Sequence, residues 1–203
     1  MATVSDDICN EGERIMRSIL KRTGACILLL LLLTASAASA APVNKANSTL
    51  KKKMDLVIQK AKITDDMTNV KKLDALFKRI GNKENYQYYR VTDFKLTASG
   101  WANEYALYML KNRRGSCYHH AATFAFLAKR ATSLPVRICC GKAKIYSTAK
   151  SAHAWAEVKI SGKWYIYDTN AGAFAGEGTW KKLSVTSSRA KKLYFPSKKL
   201  LLP

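Results

Sequence analysis

The stretch that decides the fold is HAWAEVKISGKWYIYDT, His153 to Thr169. Apolar and polar residues alternate on either side of Ser161-Gly162, the pattern of two strands joined by a two-residue turn. With that turn, Ile160 pairs with Lys163 and each further pair steps outward by one residue. His153 then stands opposite Asn170, and Trp155 opposite Asp168. His153 and Asp168 share one face as diagonal neighbours, about 7–8 Å apart at the backbone and within side-chain reach. A carboxylate so placed holds an imidazole in one tautomer and stabilises its charged form. A slip of one residue at the turn would carry Asp168 to the opposite face. The geometry depends on that register.

An imidazole and a carboxylate need a group to activate, and GSCYHHA, Gly115 to Ala121, offers one. Gly115-Ser116 reads as a tight lead-in to a helix that begins at Cys117. Unpaired N–H groups and the macrodipole at a helix N-terminus favour an anion, and the thiolate is the attacking form of cysteine. Two other readings stand beside this one, an inert structural thiol and a zinc ligand. A zinc set would enlist Cys117, His119, His120 and His153. Adjacent helical residues point about 100° apart, however, so His119 and His120 are a poor pair of ligands for one ion. His120 is read as lining the cleft, and Trp155 as packing beside His153 and shielding it. Cys139 and Cys140 are neighbours on a strand and face opposite sides.

The remaining chain follows the same logic. Leu50, Met54, Val57, Ile58 and Ala61 form one helical stripe. After the break at Thr64 to Thr68, which supplies N-cap oxygens, Val70, Leu73, Leu76, Phe77 and Ile80 form another, stopped by Gly81. Ser99 opens a third helix with Trp101, Tyr105, Tyr108 and Met109 on one face, read as core. In the cysteine helix, Ala121, Phe124, Ala125 and Ala128 share the face of Cys117 and suit close packing on a sheet. Strands are predicted over 136–140, 143–146, 152–160 and 163–167, and a further one at 193–195. Helices first and antiparallel strands second make an α+β domain.

The N-terminus reads as an address. Arg17, Lys21 and Arg22 precede the apolar run 25–33, and Ala38-Ser39-Ala40 is a small-x-small site. Residues 1–40 are therefore expected to be a signal peptide cleaved after Ala40, with translation starting at Met1 or Met16. Residues 41–63 are a linker and N-terminal helix, and 64–203 the main domain. The expected location is secreted or at the cell surface. The net charge is +21, and the first forty residues carry four bases and four acids, so their removal leaves it unchanged. The excess is mostly lysine, a point charge on a flexible stem and not the forked arginine that reads bases. An exported chain of this kind meets anionic wall polymers and membrane surfaces first, and nucleic acid is disfavoured. Of five cysteines, three follow residue 40, so no disulfide framework is implied.

Taken together, Gly115-Ser116-Cys117 opening a helix, His153-Ala154-Trp155-Ala156-Glu157-Val158 on a strand and Trp164-x-x-Tyr167-Asp168 on the next resemble the transglutaminase-like superfamily. The Cys, His, Asp order, their gaps of 36 and 15 residues, and the helical segment beginning Asp66-Met67-Thr68 carry the likeness from about Thr64 to Asn170. The resemblance implies a papain-like fold with the cysteine helix packed on an antiparallel sheet. It also implies Cys117 as nucleophile, His153 as general base and acid, and Asp168 as the orienting carboxylate. No metal or cofactor is expected. The superfamily contains transglutaminases, peptidases, amide hydrolases and members that have lost catalysis. The implied substrates are peptide, protein or peptidoglycan amides. A cationic surface-binding module with a dormant triad is the alternative on the same scaffold. The likeness does not explain the tandem histidines, and the second oxyanion donor beside the Cys117 N–H has no sequence signal.

Overall fold

A computed structural model describes residues 45–91, 94–175 and 180–203. The expected signal peptide lies outside the described residues. Among those described, no helix is long and apolar enough to cross a membrane. The first two stripes become α1 (Ser48–Lys60) and α2 (Asn69–Ile80). Asn47 caps α1 by accepting from the Leu50 N–H, and α2 is bounded as its sequence suggests, with Thr68 accepting from the Lys71 N–H and Gly81 at its end. Leu50, Met54, Leu73, Leu76, Phe77 and Ile80 are all buried. A two-residue strand β1 (Gln87–Tyr88) pairs in parallel with β2 (Arg114–Gly115) on either side of α3 (Trp101–Asn112). The cysteine helix follows as α4 (Cys117–Thr132).

The face of α3 is rotated from the expected one. Its buried residues are Trp101, Ala102, Asn103, Ala106 and Met109, whereas Tyr105 and Tyr108 are only half-buried. Two alanines let α3 lie close against α4, and the bulkier tyrosines are displaced to the rim. The helix starts after Gly100, one residue beyond the expected Ser99 opening.

Strands β3 (Val136–Ala143), β4 (Ser151–Ile160) and β5 (Lys163–Tyr167) then form the centre of an antiparallel sheet. The two strands expected over 136–146 are one strand that ends at Ala143; residues 144–150 form an irregular connection. The β4–β5 pairs run from Ile160↔Lys163 to Ala156↔Tyr167, the register read from the turn. Ser161 and Gly162 have φ of 47° and 80°, the doubly positive pair that a tight hairpin with right-handed strand twist requires. Pairing stops at Tyr167. Asn170, expected opposite His153, instead sits in α5 (Thr169–Ala175). The chain turns away because the Asp168 side chain accepts from the Ala171 N–H at 3.0 Å and its carbonyl accepts from Gly172, which starts a helix.

The glycine- and lysine-rich tail supplies β6 (Leu183–Ser184), α6 (Ser188–Leu193) and β7 (Tyr194–Leu201). The final sheet order is β6-β5-β4-β3-β7. The strand expected at 193–195 is thus the start of a longer edge strand with exposed Lys198 and Lys199, charges that discourage edge-to-edge pairing. One sheet face packs on α4 and α2. There Phe124 stacks on Tyr167 at 5.2 Å between centroids, and Phe77 meets both rings edge-on at 6.2 and 6.3 Å. Full burial of each such ring contributes about 1.5–3 kcal/mol. This α+β packing fixes the N-terminus of α4 against β4, which carries His153, and the end of β5, after which Asp168 follows.

Candidate active site

Cys117 is the first residue of α4, where the helix N-terminus is built by an unusual cap. The Ser116 N–H donates to His119 Nδ1 at 3.3 Å, and Ser116 Oγ lies 3.0 Å from the same nitrogen. A histidine three residues after the N-cap thus takes the place that Glu or Gln holds in a capping box. Gly115 is required for this. A Cβ there would stand 2.4 Å from the His119 Cβ. His119 also stacks flat on Tyr105, at 4.5 Å and 8°. Burial pushes its imidazole down to about 4, consistent with a neutral ring that accepts from Ser116.

His153 and Asp168 meet as the register dictates, Nε2 to Oδ2 at 2.7 Å. With Nε2 committed to the carboxylate, Nδ1 is the nitrogen left to serve Cys117. Burial alone would lower the imidazole's proton affinity. The Asp168 carboxylate and the Cys117 sulfur override it and raise His153 from 6.5 to about 10. All three are buried: His153 and Asp168 at 2 % and 1 % exposure, and Cys117 at 9 %. Trp155 lies along His153, its ring 6.2 Å away and inclined by 20°. Its indole N–H donates to Glu157 Oε1 at 3.0 Å, and Glu157 in turn accepts from Arg137 at 2.6 Å. The face of β4 beside the triad is therefore locked by a buried polar chain.

One position departs from the sequence reading. His120 does not line the cleft. It is wholly buried, neither ring nitrogen has a hydrogen-bond partner, and burial drives it down to about 3 against the pull of Asp168. The zinc reading fails on direction as well: His119 turns to Ser116, His120 to the core and His153 to Asp168. Among the described residues no cluster of three or more such ligands forms.

Sequence reasoning missed Tyr194. Its hydroxyl donates to Asp168 Oδ2 at 2.9 Å, so one carboxylate oxygen holds both the imidazole and the phenol. The other oxygen caps α5. No local signal marks Tyr194, because it arrives from the edge strand. Cys139 and Cys140 are free and buried on opposite faces. Burial pushes both thiols up, Cys140 to about 11 with help from the Cys117 charge. Neither is armed at neutral pH.

A helix-terminal thiol, an imidazole and a carboxylate in series on an α+β scaffold define the papain-like class of thiol sites. The chain belongs to the transglutaminase-like superfamily, whose profile matches residues 58–169. It is similar to the solved structure of a candidate cysteine protease from Cytophaga hutchinsonii, with 18 % identity, a TM-score of 0.46, and 83 % of this chain and 56 % of that chain covered. It is also similar to a solved TGase, with 13 % identity, a TM-score of 0.46, and 84 % and 42 % covered. The chain thus spans about half the length of these structures. No curated protein matches it.

Proposed function

We propose that this is an exported thiol enzyme that transfers or hydrolyses acyl groups at amide bonds of peptide, protein or cell-wall substrates. The observation that carries the reading is the His153 ring, held by Asp168 through Nε2 at 2.7 Å and close enough to the Cys117 sulfur for it to help raise the imidazole. In the reaction the Cys117 thiolate attacks the amide carbonyl carbon, and an S–C bond forms. The C–N bond breaks as His153 gives its proton to the departing nitrogen. The Cys117 N–H, at the helix N-terminus, is one donor to the developing oxyanion. Water or a second amine then attacks the thioester; His153 takes its proton, and the S–C bond breaks. Acylation removes the sulfur's charge, so one of the causes that raise His153 disappears when the ring must act as a base.

A second reading has its own support. A net charge of +21 also fits a cationic module that holds anionic surface polymers without turnover. Reaction with iodoacetamide across pH separates the two. The enzyme reading expects Cys117 to be labelled selectively below pH 7, and His153→Ala to lose that selectivity. An ordinary thiol profile in the intact protein would favour the binding module.

A further inference from the structure

Three half-exposed aromatic rings stand together beside the triad. Tyr88, Tyr146 and Phe174 are 44, 50 and 57 % exposed, in a molecule whose Phe77, Phe124 and Tyr167 are fully buried. The Phe174 ring meets Tyr88 at 5.3 Å and 67°, and Tyr146 at 5.2 Å and 65°. Each ring is tied to a different triad residue. Tyr88 pairs with Gly115, two residues before Cys117. Tyr146 stands edge-on to His153, with 6.0 Å between centroids and 83° between planes. Phe174 rides on α5, the helix that Asp168 caps. The Tyr146 hydroxyl accepts from Asn170 Nδ2 at 2.6 Å, which fixes the ring beside His153. Edge-to-face clusters leave ring faces and edges that another apolar group can join. Left open to water, they are the kind of surface that marks a ligand groove.

Chemistry says which part of a substrate reaches them. His153 donates its proton to the departing nitrogen, so that nitrogen faces the imidazole. A substituent on that nitrogen has Tyr146 as an aromatic neighbour, because that ring stands edge-on to His153. From this geometry we infer that Tyr146, Phe174 and Tyr88 form a subsite for a large apolar or aromatic side chain on the amine side of the scissile amide. The inference rests on the acyl-transfer reading above and adds the substrate class. The same rings would receive the side chain of an amine acceptor, because an acceptor enters where the leaving amine departs.

The test uses the full chain and N-acetylglycyl donors that differ only in the amine half, phenylalaninamide or alaninamide, with a thioester of N-acetylglycine as control. All three donors give one and the same acyl-enzyme, so a preference for the leaving amine appears in kcat/KM for acylation and not in the rate of thioester hydrolysis. The expected result is about a tenfold or greater preference for the phenylalanine donor. Phe174→Ala should remove most of that preference, and Phe174→Leu should restore much of it. Equal kcat/KM for the two amides, with Cys117 acylated by the thioester, overturns the subsite and leaves the acyl-transfer reading standing. A preference that survives Phe174→Ala undiminished also overturns it. Failure of the thioester to acylate Cys117 overturns the acyl-transfer reading, and the subsite with it.

Discussion

Asp168 works with both carboxylate oxygens engaged: His153 and Tyr194 on one, the α5 backbone on the other. The consequence is a defined orientation for the imidazole and a raised His153, at about 10. Two predictions belong to this scale. The first concerns pH. The unfolded imidazole titrates near 6.5 and the folded one near 10. Folding stability from His153 is therefore complete below about 6.5 and is lost as pH rises through about 10. Acylation should show its alkaline limb in the same upper range. In Asp168→Asn the main cause of the raised value is gone, so the limb should move to lower pH, together with a large loss of rate. A pH–rate profile of both proteins decides this; an alkaline limb that stays in place would mean that His153 is not the titrating group. The second prediction concerns Tyr194→Phe, which removes one hydrogen bond to the carboxylate and leaves the ring. One such bond is worth about 0.5–1.5 kcal/mol, so kcat/KM should fall by roughly threefold to tenfold with the fold intact. A loss as large as that of Cys117→Ala would instead make Tyr194 a direct participant.

At the scale of elements, the cap of α4 lends itself to a clean comparison. His119 closes the N-terminus through Ser116, as a glutamine at the same position would. His119→Gln should therefore preserve most of the stability, whereas His119→Ala should cost about 1 kcal/mol or more, with the stacking on Tyr105 lost as well. Urea unfolding of the two variants checks it, and equal losses would show that the ring's packing, not the cap, is what matters. The hairpin and the cap also show what a sequence can disclose. The β4–β5 register was legible because a two-residue turn leaves the strands no freedom to slip, and that register puts His153 and Asp168 on one face. The N-terminus of α4 was legible because Gly-Ser before an apolar helical stripe is a local signal. Tyr194 and the α5 cap were not. β7 finds β3 across more than fifty residues of chain, and periodicity carries no information about such a pairing. The strand breaking at Tyr167 turned on one side-chain bond from Asp168, which a pattern of alternation ignores. His119 and His120 were opaque for a related reason. Their roles depend on a glycine's missing Cβ and on which helix face the core claims.

At the scale of the whole molecule, two features act over the entire chain: a surface charge of +21 and a pair of histidines held neutral inside it. The charge gives a proposed role in retention on anionic polymers, and its signature is steep weakening as salt is added. Binding to wall polymer or anionic vesicles that ignored ionic strength would remove that role. The histidines set the acid limit. Both are depressed by burial, His119 to about 4 and His120 to about 3, against 6.5 when unfolded. Below about 6.5 the unfolded chain takes up protons that the folded chain refuses, so stability falls with falling pH until the folded values are reached. Each pH unit of such displacement is worth about 1.4 kcal/mol per group, so the two together remove several kcal/mol, a large share of an ordinary domain's stability. Thermal unfolding should therefore show a Tm that drops steeply between about pH 6.5 and 4. Replacing the buried, unpartnered His120 with leucine should flatten that drop, since leucine has no proton to gain in the unfolded chain. His119→Gln should flatten it further. A Tm profile that is unchanged in His120→Leu would mean that this imidazole is not buried as a neutral group, and the packing of α4 against the sheet would have to be redrawn.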